Sequence, residues 1–212
     1  MAETIAGMEI PDTVAAAEAT RLLHDTTSPL IYHHSRRVYL FGRIHAQRLG
    51  LTPDPELLYL AAVFHDTGLT RPFSDAEQRF EVDGADHGRK FLLEHGFSAT
   101  AADTVWTAIA LHTTPGIPDR MGPEIASTYL GVLTDVVGLG LEQLSSDQVN
   151  EILAVHPRGD FKKEFLSAYF EGFKTRPETT NGTVNSDVVE HFLPDHHRIT
   201  SVERMLGSAW PS

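Results

Sequence analysis

Apolar residues recur at three- and four-residue spacing through most of this chain, and that periodicity limits what it can fold into. The spacing places the apolar side chains of a helix on one face, where they can form a core. Alternation of apolar and polar residues, which is typical of half-buried strands, never runs long enough to compete. We therefore predict an all-α fold.

Helix start signals accompany the apolar segments. Cap residues or first-turn prolines predict six helix starts, at Asp12, Ser28 with Pro29, Asp54 with Pro55, Ser98, Pro123, and Ser145 or Ser146. The third of these helices is predicted to stop around Gly68. Further helices are predicted near residues 84–95, at 161–173 and at 188–193. With 212 residues and no internal repeat or clear boundary, the chain is predicted to form a single domain.

Composition excludes several classes of function. The formal net charge is -12 without a basic stripe, so we expect no nucleic acid polymer as a partner. No apolar segment approaches the ~20 residues that span a bilayer, and the first residues lack a secretion signal, so we expect a cytoplasmic protein without a membrane partner. Because cysteine is absent, histidine and carboxylates are the metal ligands to consider.

The segment "AAVFHDTG", residues 61–68, ends an apolar run with an adjacent histidine and aspartate. The preceding helix is apolar nearly all round, which predicts that it is buried. A buried carboxylate without a partner is costly, and the partial negative charge of a helix C-terminus adds repulsion. A bound cation beside His65 and Asp66 would reverse both effects, although an arginine or loop amides could also satisfy an isolated pair.

Three more ionisable residues stand at the edge of apolar helical faces, namely His34, His112 and Asp135. His34 shares the apolar face of its helix, whereas its neighbour His33 points about 100° away. Four helices that each place an ionisable group in an apolar interior are hard to explain separately, because each group would need its own compensation. Together they predict a shared metal site.

The order and setting of these residues resemble the HD-domain superfamily of metal-dependent hydrolases over most of residues 28–140. The superfamily pattern is a histidine, then an adjacent His-Asp pair, then a distant aspartate. The resemblance implies that His34, His65, Asp66 and Asp135 are the metal ligands. It also implies a helical bundle, with a metal-binding core at about 28–140 and a C-terminal helical extension at about 141–212.

Within the superfamily the chain is most similar to the cyanamide hydratase family, at "YHHSRRVYLFG", "HDTG", "RFEVDGA", "AIALH", "LTDVVG" and "HPRGDF". This resemblance implies one zinc ion and the hydration of a small molecule, cyanamide, to urea. Iron, manganese, cobalt and nickel also suit nitrogen and oxygen ligands. We predict that Asp66 and His112 are catalytic. Four further residues are predicted to contact substrate or support the site: Arg37, Phe73, Phe80 and Asp83.

Three alternatives stay open, as does assembly into a homo-oligomer. A phosphohydrolase would use the same ligands and hold a nucleotide or other phosphate ester with Arg36 or Arg37. A dinuclear site, as in diiron oxygenases of the superfamily, would need donors near His87 and His112, but Phe80 stands where dinuclear members commonly carry a histidine. A non-catalytic helical binding module would keep its metal for stability alone.

Overall fold

Helices account for most of the chain in a computed structural model that describes residues 3–210. Within that range the helices are α1 (Val14–Thr26), α2 (Pro29–Leu49), α3 (Pro55–Phe64), α4 (Phe80–Glu94), α5 (Ala99–Leu111), α6 (Pro123–Val137), α7 (Ser146–Val155), α8 (Phe161–Phe173), α9 (Ser186–Phe192) and α10 (Ser201–Leu206). Ahead of them a short antiparallel hairpin pairs β1 (Thr4–Ile5) with β2 (Met8–Glu9). No helix within residues 3–210 is both long and apolar enough to cross a bilayer. The predicted all-α fold is confirmed.

Most helix starts follow the cap residues read from the sequence. The side chains of Ser28 and Asp54 accept backbone N–H bonds in the first turns of α2 and α3. α1 differs, because Thr13 caps it and the predicted Asp12 lies one residue too early. α2 ends at Gly50, whose φ of 68° is the left-handed conformation that glycine adopts freely.

Two helix boundaries near the predicted site differ from the sequence prediction. α3 ends at Phe64 and not near Gly68, so the His-Asp pair lies just beyond the helix and leads into a 3-10 turn at Thr67–Leu69. α4 begins at Phe80, four residues before the predicted start. Gly84 lets α4 approach the end of α3, since a Cβ there would lie 2.8 Å from the carbonyl oxygen of Phe64. Tertiary packing overrides local helix propensity, so the sequence pattern alone did not give these two helix boundaries.

α3 lies at the centre of the bundle, as its apolar sequence requires. All residues from 58 to 64 are buried. The helix packs against α1, α2, α5 and α6, while α2 runs along α6 and α4 along α5. These helices share one hydrophobic core. The C-terminus of α3 therefore delivers the His-Asp pair into the interior of the protein.

The C-terminal helices close one side of the bundle. α8 has the predicted bounds, and it packs against α2, α9 and the 3-10 turn that follows the His-Asp pair. Just after α8, the buried side chain of Arg176 donates to the carbonyl oxygens of Gly68, at 2.7 Å, and Gln78, at 3.0 Å. It also pairs with Asp83 of α4. Arg176 thus joins the loop before α4 to the C-terminal extension.

Candidate metal centre

The backbone fixes the orientation of the His-Asp pair at the end of α3. The Nδ1–H of His65 donates to the carbonyl oxygen of Ala62 at 2.7 Å. This bond leaves Nε2 as the ring nitrogen that faces the interior of the bundle. Asp66 follows directly, and both of its side-chain oxygens are buried.

Three donor atoms converge at this point. His34 extends from α2 and places its Nε2 3.1 Å from Nε2 of His65 and 3.5 Å from Oδ2 of Asp66. Nε2 of His65 lies 3.3 Å from the same oxygen. Ligands at about 2.0–2.2 Å from a tetrahedral ion lie about 3.3 Å from one another, so these spacings suit a divalent metal. No other group of three such donors occurs within residues 3–210.

Several polar atoms of this cluster lack hydrogen-bond partners. Both oxygens of Asp66 and Nε2 of His112 are buried and unpaired. Burial opposes ionisation of Asp66, but the charge of His65 and the nearby His112 hold the pKa of its carboxyl well below its usual range, so Asp66 is ionised. A buried anion with unsatisfied oxygens is costly, and a cation would satisfy it. The donor set therefore fits the predicted divalent metal.

His112 reaches the other face of Asp66 from the end of α5. Its Nδ1–H donates to the carbonyl oxygen of Ile109 at 2.6 Å, and its Nε2 lies 3.6 Å from Oδ1 of Asp66. The ring of Phe80 packs edge-on against His112, with centroids 5.5 Å apart. A phenyl ring offers no metal ligand, so Phe80 adds no donor here. The unpaired Nε2 of His112 can exchange a proton beside Asp66.

Asp135 contacts the cluster through His34. Its Oδ2 accepts the Nδ1–H of His34 at 2.6 Å, on the opposite edge of the ring from Nε2. Arg37 donates to both oxygens, at 2.8 and 2.9 Å, and Arg158 donates to Oδ1. Burial opposes ionisation, but His34 and Arg37 hold the pKa of Asp135 well below its usual range. In this arrangement the carboxylate orients His34, and its predicted role as a fourth ligand stays a prediction.

Arg37, which was predicted to contact substrate or support the site, donates all of its hydrogen bonds to the protein itself. Beyond Asp135, its guanidinium donates to the carbonyl oxygens of His156, at 3.3 Å, and Pro157, at 2.9 Å. The residue is fully buried. Arg36, the other candidate phosphate ligand, is bonded to α3 and to the segment before β1. Both guanidinium groups are therefore engaged by other parts of the chain.

The loop and helix after the His-Asp pair bring only one of three predicted residues to the cluster. Phe80 lies there, as described above. Phe73 instead stacks on His87, with ring centroids 4.0 Å apart. Asp83 forms the ion pair with Arg176 that holds the loop. His87 lies outside the donor group, so the alternative of a second metal gains no support from the described residues.

Sequence reasoning missed Glu81, a buried carboxylate in the first turn of α4. It accepts hydrogen bonds from Arg79 at 2.9 Å, from Asn185 at 2.8 Å, and from Thr113. Thr113 follows His112, so the network links α4 to the end of α5 and to the start of α9. An acidic residue inside the quoted "FEVDGA" motif was the signal that could have identified it.

An aromatic wall on α8, formed by Phe161, Phe165, Tyr169 and Phe173, was also missed. Phe161 and Phe165 pack against His34, with ring centroids 5.3 and 4.8 Å apart. Tyr169 packs against Phe80 at 5.4 Å. The four-residue spacing of these aromatic residues is visible in "FKKEFLSAYFEGF" and places them on one helix face. The wall covers the cluster, whose two histidines and aspartate are 0% exposed.

A buried group of two histidines and an aspartate at the centre of an all-α bundle defines a metal-binding helical domain. Residues 31–146, more than half of the chain, match the family model for the HD domain. The chain therefore belongs to the HD domain family, whose members are mostly metal-dependent hydrolases. The matched range contains every predicted ligand and His112, whereas α8 and its aromatic wall lie beyond it.

Proposed function

We propose that this protein is a metal-dependent hydratase that adds water to a small neutral nitrile, with cyanamide as substrate and urea as product. The main observation in favour of the proposal is that Arg37 already donates its hydrogen bonds to Asp135 and to backbone carbonyl oxygens. A phosphate ester would bring negative charge and would need a free cation to hold it. The similarity to cyanamide hydratase motifs supports the same choice.

The closure of the site favours a small, uncharged substrate. His34, His65, Asp66 and His112 are all fully buried. The aromatic wall adds apolar surface on the α8 side of the cluster, and burial of a charged molecule against such surface is unfavourable. Cyanamide has only three heavy atoms and no net charge, so it meets both conditions.

The metal would be held by His34, His65 and Asp66, with Asp135 as the predicted fourth ligand. When bound, a divalent cation supplies positive charge that lowers the pKa of water and polarises an electron-rich group of the substrate. The chain orients the donors for this purpose. Asp135 fixes the ring of His34, and the carbonyl oxygen of Ala62 fixes the ring of His65.

His112 moves the proton in this scheme. In the overall reaction one O–H bond of water breaks, a C–O bond forms at the nitrile carbon, and the nitrile nitrogen gains a proton. A further proton shift converts the resulting isourea into urea. Nε2 of His112 is buried and unpaired, so it can accept the proton from water and return it to nitrogen without net consumption of acid or base.

The test compares the wild type with two histidine variants in the presence of Zn²⁺ and cyanamide, with urea as the measured product. His65→Ala removes a cluster donor and should reduce urea formation to background. His87→Gln is the matched control, because it changes an imidazole packed outside the donor group, and it should retain activity. No urea from the wild type above the His65→Ala level would refute hydration.

The same preparations distinguish the alternatives. Metal analysis should give one equivalent per chain, and two equivalents would overturn the mononuclear assignment. A panel of nucleotides and other phosphate esters should release no inorganic phosphate. Phosphate release without urea formation would replace hydration by phosphohydrolysis as the function of this site.

A further inference from the structure

A cleft lies between the C-terminal end of α6 and helices α7 and α8. Its volume is about 680 Å³, within the range of about 300–1,000 Å³ that is typical of small-molecule sites. Most of its lining is apolar and comes from Val137, Leu141, Val149, Leu153, Phe165 and Leu166. Of these, Val137, Leu141 and Leu166 are 69%, 41% and 43% exposed. Large apolar side chains gathered at one exposed concave surface indicate a binding site.

Arg158 lines the cleft and has hydrogen-bond donors that the protein does not use. Its Nη1 donates to the backbone carbonyl oxygen and to Oδ1 of Asp135. Its guanidinium also lies over the ring of Phe161, 4.3 Å from the centroid. These contacts fix the group, whereas Nε and Nη2 bond to no residue within 3–210 and the side chain is 27% exposed. Two adjacent free guanidinium nitrogens can bind a carboxylate through parallel hydrogen bonds.

The charges that line the cleft favour an anion. Arg158 and Lys162 contribute two positive charges, and Asp135 contributes the one negative charge among the described residues that line it. Asp135 also accepts two hydrogen bonds from the buried Arg37, so its charge is shared with a cation outside the cleft. An excess of positive charge in a chain whose net charge is -12 would attract a carboxylate to this surface.

The cleft is a separate site from the metal cluster, since His34, His65 and Asp66 do not line it. Phe161 contacts both sites, because its ring packs against Arg158 and, at 5.3 Å, against His34. A ligand in the cleft would therefore lie against the aromatic wall and would not need the metal in order to bind.

We propose that this cleft binds a monocarboxylate with an aliphatic tail, of the fatty acid class. The carboxylate accepts hydrogen bonds from Nε and Nη2 of Arg158, with Lys162 as a second cation, and the tail packs along the apolar lining. Burial of the tail and of the exposed apolar side chains favours the complex. A second copy of the chain could also cover the apolar lining, but that occupant gives no reason for the oriented and unused edge of Arg158.

Calorimetric titration of the metal-free protein with octanoate tests the inference, and one molecule should bind per chain. Octanamide keeps the tail without the charge, and acetate keeps the charge without the tail. Each should bind at least about 10-fold more weakly than octanoate, because each lacks one of the two matched features. Equal affinity for octanoate and octanamide would overturn the inference.

Two variants place the ligand in the cleft. Arg158→Met removes the carboxylate partner, and Leu166→Glu puts a negative charge into the apolar lining at an exposed position, so each should raise the Kd for octanoate at least about 10-fold. Lys163→Gln is the matched control, since Lys163 is an exposed residue of α8 that does not line the cleft, and it should keep the wild-type Kd.

Melting temperatures of the metal-free proteins verify that the variants are folded. A wild-type Kd in either Arg158→Met or Leu166→Glu would overturn the inference. Light scattering tests the other occupant, and a dimer that octanoate does not dissociate and that Leu166→Glu abolishes would assign the cleft to a second copy of the chain instead.

Discussion

Replacement of Asp135 by asparagine should destabilise the metal-free protein by about 3–5 kcal/mol, the cost of removing one partner from a buried ion pair. The carboxylate accepts bonds from His34, twice from Arg37, and from Arg158. Asparagine keeps one acceptor oxygen but turns an N–H donor toward groups that already donate. The Arg37 side chain is only 1% exposed, so water cannot replace the lost charge. The loss is large against a total stability of about 5–15 kcal/mol.

The matching change on the other partner is Arg37→Met, which removes the buried cation and keeps an apolar chain of similar shape. Asp135→Asn leaves the buried Arg37 guanidinium without an anion. Arg37→Met leaves Asp135 with His34 and with Arg158, whose side chain is 27% exposed, and the double variant removes both buried charges of the pair. The double variant should therefore be more stable than the sum of the single losses predicts, by about 2–3 kcal/mol. This coupling separates the cost of an unpaired charge from the loss of packing.

Urea unfolding in the presence of a chelator, followed by circular dichroism, measures all four proteins under metal-free conditions. The pair Arg89 and Asp103 provides the control cycle, since it has a 2.6 Å contact but side chains 41% and 60% exposed. Its coupling should stay below about 1 kcal/mol. If the effects of Asp135→Asn and Arg37→Met add to within about 0.5 kcal/mol, the two residues do not form a coupled buried pair and the argument fails.

Two further predictions concern the metal and a neighbouring histidine. Zinc at 100 times its Kd should stabilise the wild type by about 2.7 kcal/mol and should not stabilise His65→Ala. Thermal melts with and without a chelator measure this difference. An equal gain in stability for both proteins would show that the metal binds elsewhere. Burial lowers the pKa of His87 from 6.5 to about 4, so the unfolded chain binds a proton that the native protein does not, and stability should fall as pH drops from 6.5 toward 4. His87→Gln should flatten the dependence of unfolding free energy on pH, and an unchanged slope would contradict this assignment.

The all-α fold and the core of the candidate site were predictable because both depend on local sequence. Ser28 and Asp54 cap helices at the expected places, since capping involves only neighbouring residues. The rule that a polar group interrupting an apolar helical face needs a partner identified His34, His65 and Asp66, which the structure brings together.

The partners of buried groups were less accessible to sequence reasoning. The same rule identified Asp135 as buried, but it could not show that Arg37, almost a hundred positions away, would pair with its carboxylate. Asp83 and Arg176 are similarly distant along the chain. Such pairs depend on which helices pack together. β1, β2 and α10 were missed for a different reason, because each is too short to show a periodic pattern.

The contact between Arg176 and Asp83 gives the order of chain synthesis a role in forming the site. The segment that matches the HD domain leaves the ribosome first, but it contains Asp83 without the arginine that pairs with it. Until residue 176 is available, that carboxylate has no ion partner, and α8 has not covered the cluster. A closed metal site can therefore form only after the extension has been synthesised and has folded onto the helices that precede it.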